Sequence, residues 1–452
     1  MKTITYIFGL TLFILGLNGC ADNLDLQPEQ SLPPDVVTSN AANIQNLLVG
    51  IYDEAAQTDS YGGDINLGVE LLADNGNLSW NGTFEDPASF IEKQIVVSNG
   101  FAERYWLNAY EVGNQVNIVL ASLNNIEDGD DRTRIEGEAK FLRGLIYFDL
   151  ARLFGLPYEV GAENSQLAVP IVLDPVLDAS QIEFPVRNNV EEVYTQVIAD
   201  LNDAYNLLPD NNGFFADKYA AQALLARVYL QQGDYASANI AADDVIQNSG
   251  HSLTPTFASA FNNSEDSAED IFGWQKTSQD ATASINDMNL FWATEDFGGR
   301  SGNPDISINN SHFDIYDDEN DERSTFFYEG DATATTKWQS QFANIPFLRI
   351  AEMHLIRAES NFREGTSIGL APEGEINALR ARSGASPLTG LVLQDIIDER
   401  KRELSFEGFT LHDIKRLEGS VGELAYDNPK LVMPIPQRET DANQNLEQNP
   451  GY

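Results

Sequence analysis

From Val190 the apolar residues Val190, Val193, Tyr194, Val197, Ile198, Leu201, Ala204, Tyr205 and Leu208 recur at steps of three and four. That period is one face of an amphipathic helix. Asn189 with Glu192 predicts a capping box at its start, and Pro209 ends it. The same period runs over 40–55 through Ala41, Ile44, Leu47, Leu48, Ile51, Tyr52 and Ala55, and over 104–126 through Trp106, Tyr110, Gly113, Asn117, Leu120 and Leu123. In 137–154 the residues Leu142, Leu145, Ile146, Leu150 and Leu153 crowd together, which predicts a helix buried on several sides. Strand signals are few: 167–173 and 431–435 are short, apolar and broken by proline.

The segment 218–250 adds a repeat. Ala226 and Tyr229 precede Gly233-Asp234-Tyr235, and Ala238 and Ala242 follow. Small residues where two helices cross, with glycine at the turn, match the tetratricopeptide pattern. The expected fold is mainly all-α, a scaffold of tetratricopeptide-like helical pairs over about 40–58, 101–250 and 344–418. Two stretches, about 59–100 and 251–343, are rich in Gly, Asn, Ser and Asp, yet they hold Trp80, Trp274, Trp292 and Trp338. Loops this long inside a domain are ordered for function or disordered, and their aromatic content predicts ordered ligand-binding loops.

The first residues set the destination. Lys2 is followed by an apolar run over 4–17, short for a bilayer span but suited to an export signal. It ends at Leu17-Asn18-Gly19-Cys20, and Cys20 is the single cysteine of the chain. This resembles the lipobox of bacterial lipoproteins, which implies a signal peptide over 1–19, lipidation of Cys20 and one domain over 20–452. A lone thiol leaves no disulfide framework and no thiolate metal site. The acidic run Asp22-Asn23-Leu24-Asp25 resembles the surface-export signal of Bacteroidetes lipoproteins.

Composition narrows the ligand. The 452 residues carry 70 Asp and Glu against 27 Lys and Arg, a net charge of −43. This excludes a nucleic-acid role, which needs clustered bases, and makes a neutral ligand the expectation. The four histidines, His251, His312, His354 and His412, show no zinc or triad spacing, and no phosphate-binding glycine loop is present. The acidic cluster over 314–322 lacks the glycine of a calcium loop. No cofactor and no metal are expected.

The C-terminal third carries a family resemblance. Leu348-Arg349-Ile350-Ala351-Glu352 with Arg357-Ala358-Glu359, the turn from Asn377 to Gly384, and Ile397 to Phe409 with Asp413, Lys415 and Arg416 all resemble motifs of the SusD/RagB family. So do Glu138 to Gly155 and the close from Pro434 to Tyr452. The resemblance implies a surface lipoprotein of the outer membrane that captures glycans, or peptides in the RagB branch, beside a SusC-like TonB-dependent transporter, and that is not an enzyme. The motif acids and bases Glu399, Arg400, Arg402, Glu403 and Glu407 lie at one-turn spacings, which predicts ion pairs rather than acid–base chemistry.

Sugars stack their apolar ring faces on aromatic side chains while Asn, Asp, Gln and Arg bond the hydroxyls. Trp80 and Asn81 in a polar run, and Trp292 with Phe297 and Arg300, are therefore the leading ligand-binding candidates. Trp274 and Tyr61 come next, while Trp106 and Trp338 are expected in the core. A neutral oligosaccharide or polysaccharide is the expected ligand. The alternatives are a RagB-like peptide binder, an all-helical glycoside hydrolase, which needs two carboxylates across a cleft, and a scaffold without ligand. The charge also predicts a protein suited to salt, which screens self-repulsion.

Overall fold

The helical periods fold close to where the pattern places them. The computed structural model describes residues 34–278, 287–302, 304–330 and 332–452, so Cys20 and the signal segment lie outside the described residues. After a one-turn helix α1 (Pro34–Val37), the order is α2 (Ala41–Ala55), α3 (Asp64–Ala73), α4 (Glu85–Ile91), α5 (Gly100–Ala121), α6 (Asp130–Phe154), α7 (Val190–Leu207), α8 (Lys218–Gln232) and α9 (Tyr235–Asn248). From α6 to α9 each helix packs on its predecessor. The stack resumes with α11 (Ile350–Glu364) against α9, then α12 (Pro372–Arg382) and α13 (Leu393–Leu404) against α11. A loop-rich module over 251–343, with the short α10 (Asp287–Trp292), is inserted between two spatial neighbours. The last helices are α14 (Thr410–Arg416), which packs on α3 and α8, and α15 (Gln437–Ala442).

Local sequence explains the joints. At α7 the Asn189 side chain accepts from the Glu192 N–H at 2.8 Å, and Glu192 accepts from the Asn189 N–H at 3.0 Å. This is the capping box, and the helix closes just before Pro209. Between α8 and α9, Gly233 sits at φ 71°, the left-handed region that glycine enters without strain. Asp234 then caps α9 by accepting from the Ser237 N–H at 3.1 Å. In α6 almost every residue from Ile135 to Phe154 is buried, as the density of Leu predicts.

Two expectations change. The segments 167–173 and 431–435 form no ladder; the first makes one bridge, Leu167 to Asn189. Pro170 and Pro434 lack the N–H that continuous pairing needs. The stretch over 59–100 is not loop throughout, because it contains α3 and α4. Helix α3 buries Leu67, Val69, Leu71 and Leu72, so apolar residues surround it and no one-sided period is legible.

Antiparallel ribbons knit the loops together. β1 (Leu78–Trp80) pairs with β3 (Ile306–Ile308), placing Trp80 opposite Ile306 and joining the two loop-rich regions. β2 (Asp270–Trp274) pairs with β6 (Ile345–Arg349), and β4 (Phe327–Glu329) with β5 (Thr333–Thr335).

The motif charges are buried and paired. Arg323 meets Asp321, Glu399 and Glu403; Arg349 meets Glu269, Glu403 and Glu407; Arg382 meets Glu403; Lys337 meets Glu407. These pairs clamp the 251–343 module onto β6 and α13, and Arg382 ties α12 to the same Glu403 carboxylate. In the acidic cluster, Asp317 pairs with Arg380 and Arg402, and Asp318 accepts from the Ser386 N–H. Among the described residues no group of three His, Cys, Asp or Glu is placed to hold a metal ion, and no helix is long and apolar enough to cross a membrane.

Candidate functional site

The β1–β3 ribbon brings Trp80 and Asn81 to one corner with Arg300. Trp80 is half-buried; its ring lies 5.9 Å from that of Phe291, and its indole N–H donates to the Phe84 carbonyl at 3.2 Å. Phe84 is 45% exposed, and the Arg300 guanidinium lies 4.3 Å over its ring. Arg300 in turn pairs with Asp305 at 2.9 Å. Burial pushes the Asp305 carboxyl up, against the pull of Arg300.

Exposed Asn81 follows β1. Its backbone N–H donates to the Asp305 carbonyl at 2.7 Å, and its side-chain amide donates to Pro304 and Ser307 at 3.2 and 3.0 Å. Both amide hydrogens thus face protein, which leaves the Asn81 carbonyl oxygen as a fixed acceptor. Arg300 is delivered by a tight turn after α10. A Cβ on Gly299 would lie 1.9 Å from the Ala293 carbonyl oxygen, so only glycine closes that turn. The Arg300 N–H then donates back to Leu290 at 3.2 Å. The corner thus combines aromatic surface, a guanidinium and a carboxylate.

Phe297, 43% exposed, lies on the same turn and packs edge-on to Tyr328 at 5.1 Å. The other candidates are elsewhere. Trp292 is 1% exposed, with its ring 5.3 Å from Phe406. Trp274 stacks on Tyr61 at 4.9 Å, and both are buried. The Tyr61 hydroxyl donates to Asp149 at 2.9 Å, and burial pushes its phenol well above the ordinary value. These three rings belong to the core and offer no face to a ligand. The reason is local: Leu290-Phe291 and Ile271-Phe272 are apolar neighbours that carry the tryptophans inward with them. Trp106 and Trp338 are buried, as their sequence context predicts.

Phe84 and Asp305 also stand at this corner, though the sequence reading singled out neither. Phe84 had a signal, an isolated aromatic among Asn81, Gly82, Thr83, Glu85 and Asp86. Asp305 had none, because one acid among 70 is singled out only by its contact with Arg300.

Comparison with known proteins gives the context. A family profile described as starch-binding associating with outer membrane matches residues 22–230, and one described as SusD family matches residues 320–428. A SusD-like protein of Formosa agariphila is 27% identical, with 99% of this chain and 99% of the relative covered. A SusD superfamily protein from Bacteroides thetaiotaomicron has a similar structure, with TM-score 0.82 at 24% identity over 91% of this chain and 100% of the other. A SusD-like carbohydrate binding protein from Bacteroides vulgatus follows with TM-score 0.76 at 22% identity, covering 90% and 97%. At these identities the structural likenesses speak for the fold.

Proposed function

This chain belongs to the SusD/RagB family, and on that premise we propose that it captures a neutral oligosaccharide or polysaccharide at the cell surface and delivers it to a SusC-like TonB-dependent transporter. The observation that carries the ligand class is the corner of Trp80, Phe84, Asn81, Arg300 and Asp305. Aromatic faces take the apolar side of a sugar ring, and the guanidinium and amide carbonyl bond its hydroxyls, while the buried Asp305 carboxylate holds Arg300 in place. Each of these side chains is already positioned by a contact within the protein, so little ordering entropy is lost on binding. A neutral ligand also avoids the repulsion that a chain of net charge −43 imposes on anions.

In this reading Trp80 and Phe84 supply the platform, Arg300 and Asn81 orient the hydroxyls, and Phe297 extends the surface. The protein binds and does not hydrolyse; Asp305 is held by Arg300 rather than placed as an acid. Calorimetry against a panel of neutral glycans tests the site, with Trp80→Ala and Arg300→Ala expected to weaken binding. Binding to peptides in place of glycans would assign the protein to the RagB branch.

Delivery requires an anchor, which this reading places at Cys20. Cys20→Ser should move the protein from the membrane fraction to the soluble fraction. Retention in the membrane would remove the lipid anchor from the account.

A further inference from the structure

A cavity of about 710 Å³ lies between α5, α6 and the segment 171–185, and no residue of the Trp80 corner lines it. Its walls are largely apolar, with Ala109, Gly113, Leu150, Ile171, Val172 and Val176 set among polar side chains. Most of the amides and hydroxyls that reach it are engaged within the protein, and Gln181 accepts from the Leu177 and Asp178 N–H at 2.7 and 3.1 Å. Asn114 accepts from the Val176 N–H at 2.7 Å and donates to the Val176 carbonyl at 2.9 Å. Asn117 donates to the Val172 carbonyl at 2.9 Å and accepts from Arg143 at 3.0 Å. The Tyr147 hydroxyl both accepts from and donates to Val172, and the Tyr110 hydroxyl donates to Pro170.

A sugar entering here would find few partners for its hydroxyls, and unmet hydroxyls are costly to bury. The charged lining residues are Glu111, Asp174 and Glu183, all exposed, and among the described residues no Lys or Arg lines the cavity. The apolar surface also continues past the mouth. Leu173, Leu177, Ile182, Phe184 and Val186 are 42 to 64% exposed along one short segment. Such a patch marks an interaction surface larger than a small molecule covers.

We propose that this groove docks an amphipathic, basic segment of a partner polypeptide, apolar side chains in the cavity and Lys or Arg against Glu111, Asp174 and Glu183. This is the helix-in-groove mode of recognition, with charge complementarity selecting a cationic partner.

The probe is a dye-labelled amphipathic Leu/Lys peptide followed by fluorescence anisotropy, with the matching Leu/Glu peptide beside it. The Leu/Lys peptide should bind, and Leu173→Ser with Ile182→Ser should weaken it at least about tenfold, the loss expected on removing central apolar contacts. Glu111→Gln, Asp174→Asn and Glu183→Gln together should weaken it and flatten its salt dependence. Val392→Ser, at an exposed apolar position elsewhere, should change nothing. These substitutions are at the surface, so folding is not at risk. Unchanged affinity in the Leu173/Ile182 variant, or equal binding of the Leu/Glu peptide, would overturn the proposal. So would glycan binding lost in that variant, which assigns the groove to sugar. A dimer dissolved by it would assign the groove to a second copy of the chain.

Discussion

Replacing Glu403 by Gln tests the buried clamp that holds the 251–343 module on the helices. Glu403 is fully buried, and its carboxylate faces Arg382 at 2.5 Å, Arg349 at 3.2 Å and Arg323 at 3.3 Å. The amide keeps the volume but removes the charge, leaving guanidiniums in a dry site with one fewer partner. Removing one member of a buried pair typically costs about 3–5 kcal/mol. The unfolding entropy of a chain this size is about 0.9 kcal/mol/K, so the melting temperature should fall by about 3–5 °C in a thermal melt. Asp131→Asn, at a side chain 85% exposed, is the control and should cost under about 0.5 kcal/mol.

The pH dependence sharpens the test. Burial pushes the Glu403 carboxyl up, but Arg382, Arg349, Arg323 and Lys337 overcome it and hold it well below the usual carboxylate range. A depressed folded value contributes stability that is full above the unfolded value of about 4.3 and is lost as pH falls. The gap between wild type and Glu403→Gln should therefore narrow below about pH 4, by up to about 1.4 kcal/mol per pH unit. Melting temperatures within about 1 °C at pH 7, with parallel pH curves, would refute the clamp as a source of stability.

Two further predictions concern charge. Lys415 is buried with its ammonium donating to the Arg152 carbonyl at 3.0 Å, and burial, with Arg152 beside it, lowers it to about 7. Its unfolded form holds the proton more tightly, so stability should rise from pH 7 towards pH 10 by up to about 1.4 kcal/mol per unit; Lys415→Met should abolish that rise, and an unchanged slope would contradict it. Added NaCl should raise the melting temperature, because many bases are buried in pairs while most acids among the described residues are not buried; indifference to salt would count against self-repulsion as a cost to the fold.

Much of the scaffold was legible because its signals are local. Asn189 and Glu192 cap the helix they predict, Gly233 turns α8 into α9, and the one-turn spacing of Glu399, Glu403 and Glu407 ends in ion pairs. The acids' partners were less legible, because Arg323, Arg349 and Lys337 arrive from other parts of the chain. Of the candidate site residues, Trp80, Asn81 and Arg300 share one corner of the surface, whereas Trp292, Trp274 and Tyr61 lie in the core. Whether a tryptophan in a loop faces water depends on tertiary packing, such as Tyr61 on Trp274 and Phe406 on Trp292. Composition of the flanking residues records that only in part.

The central claim is capture of a neutral glycan at the Trp80 corner, and titration calorimetry with a glycan panel tests it most directly. Wild type should bind at least one neutral glycan; Trp80→Ala with Phe84→Ala should weaken it at least about tenfold, while Tyr61→Phe, whose ring lies in the core, should leave the affinity unchanged. Equal affinity of wild type and the Trp80/Phe84 variant for a bound glycan would contradict the account.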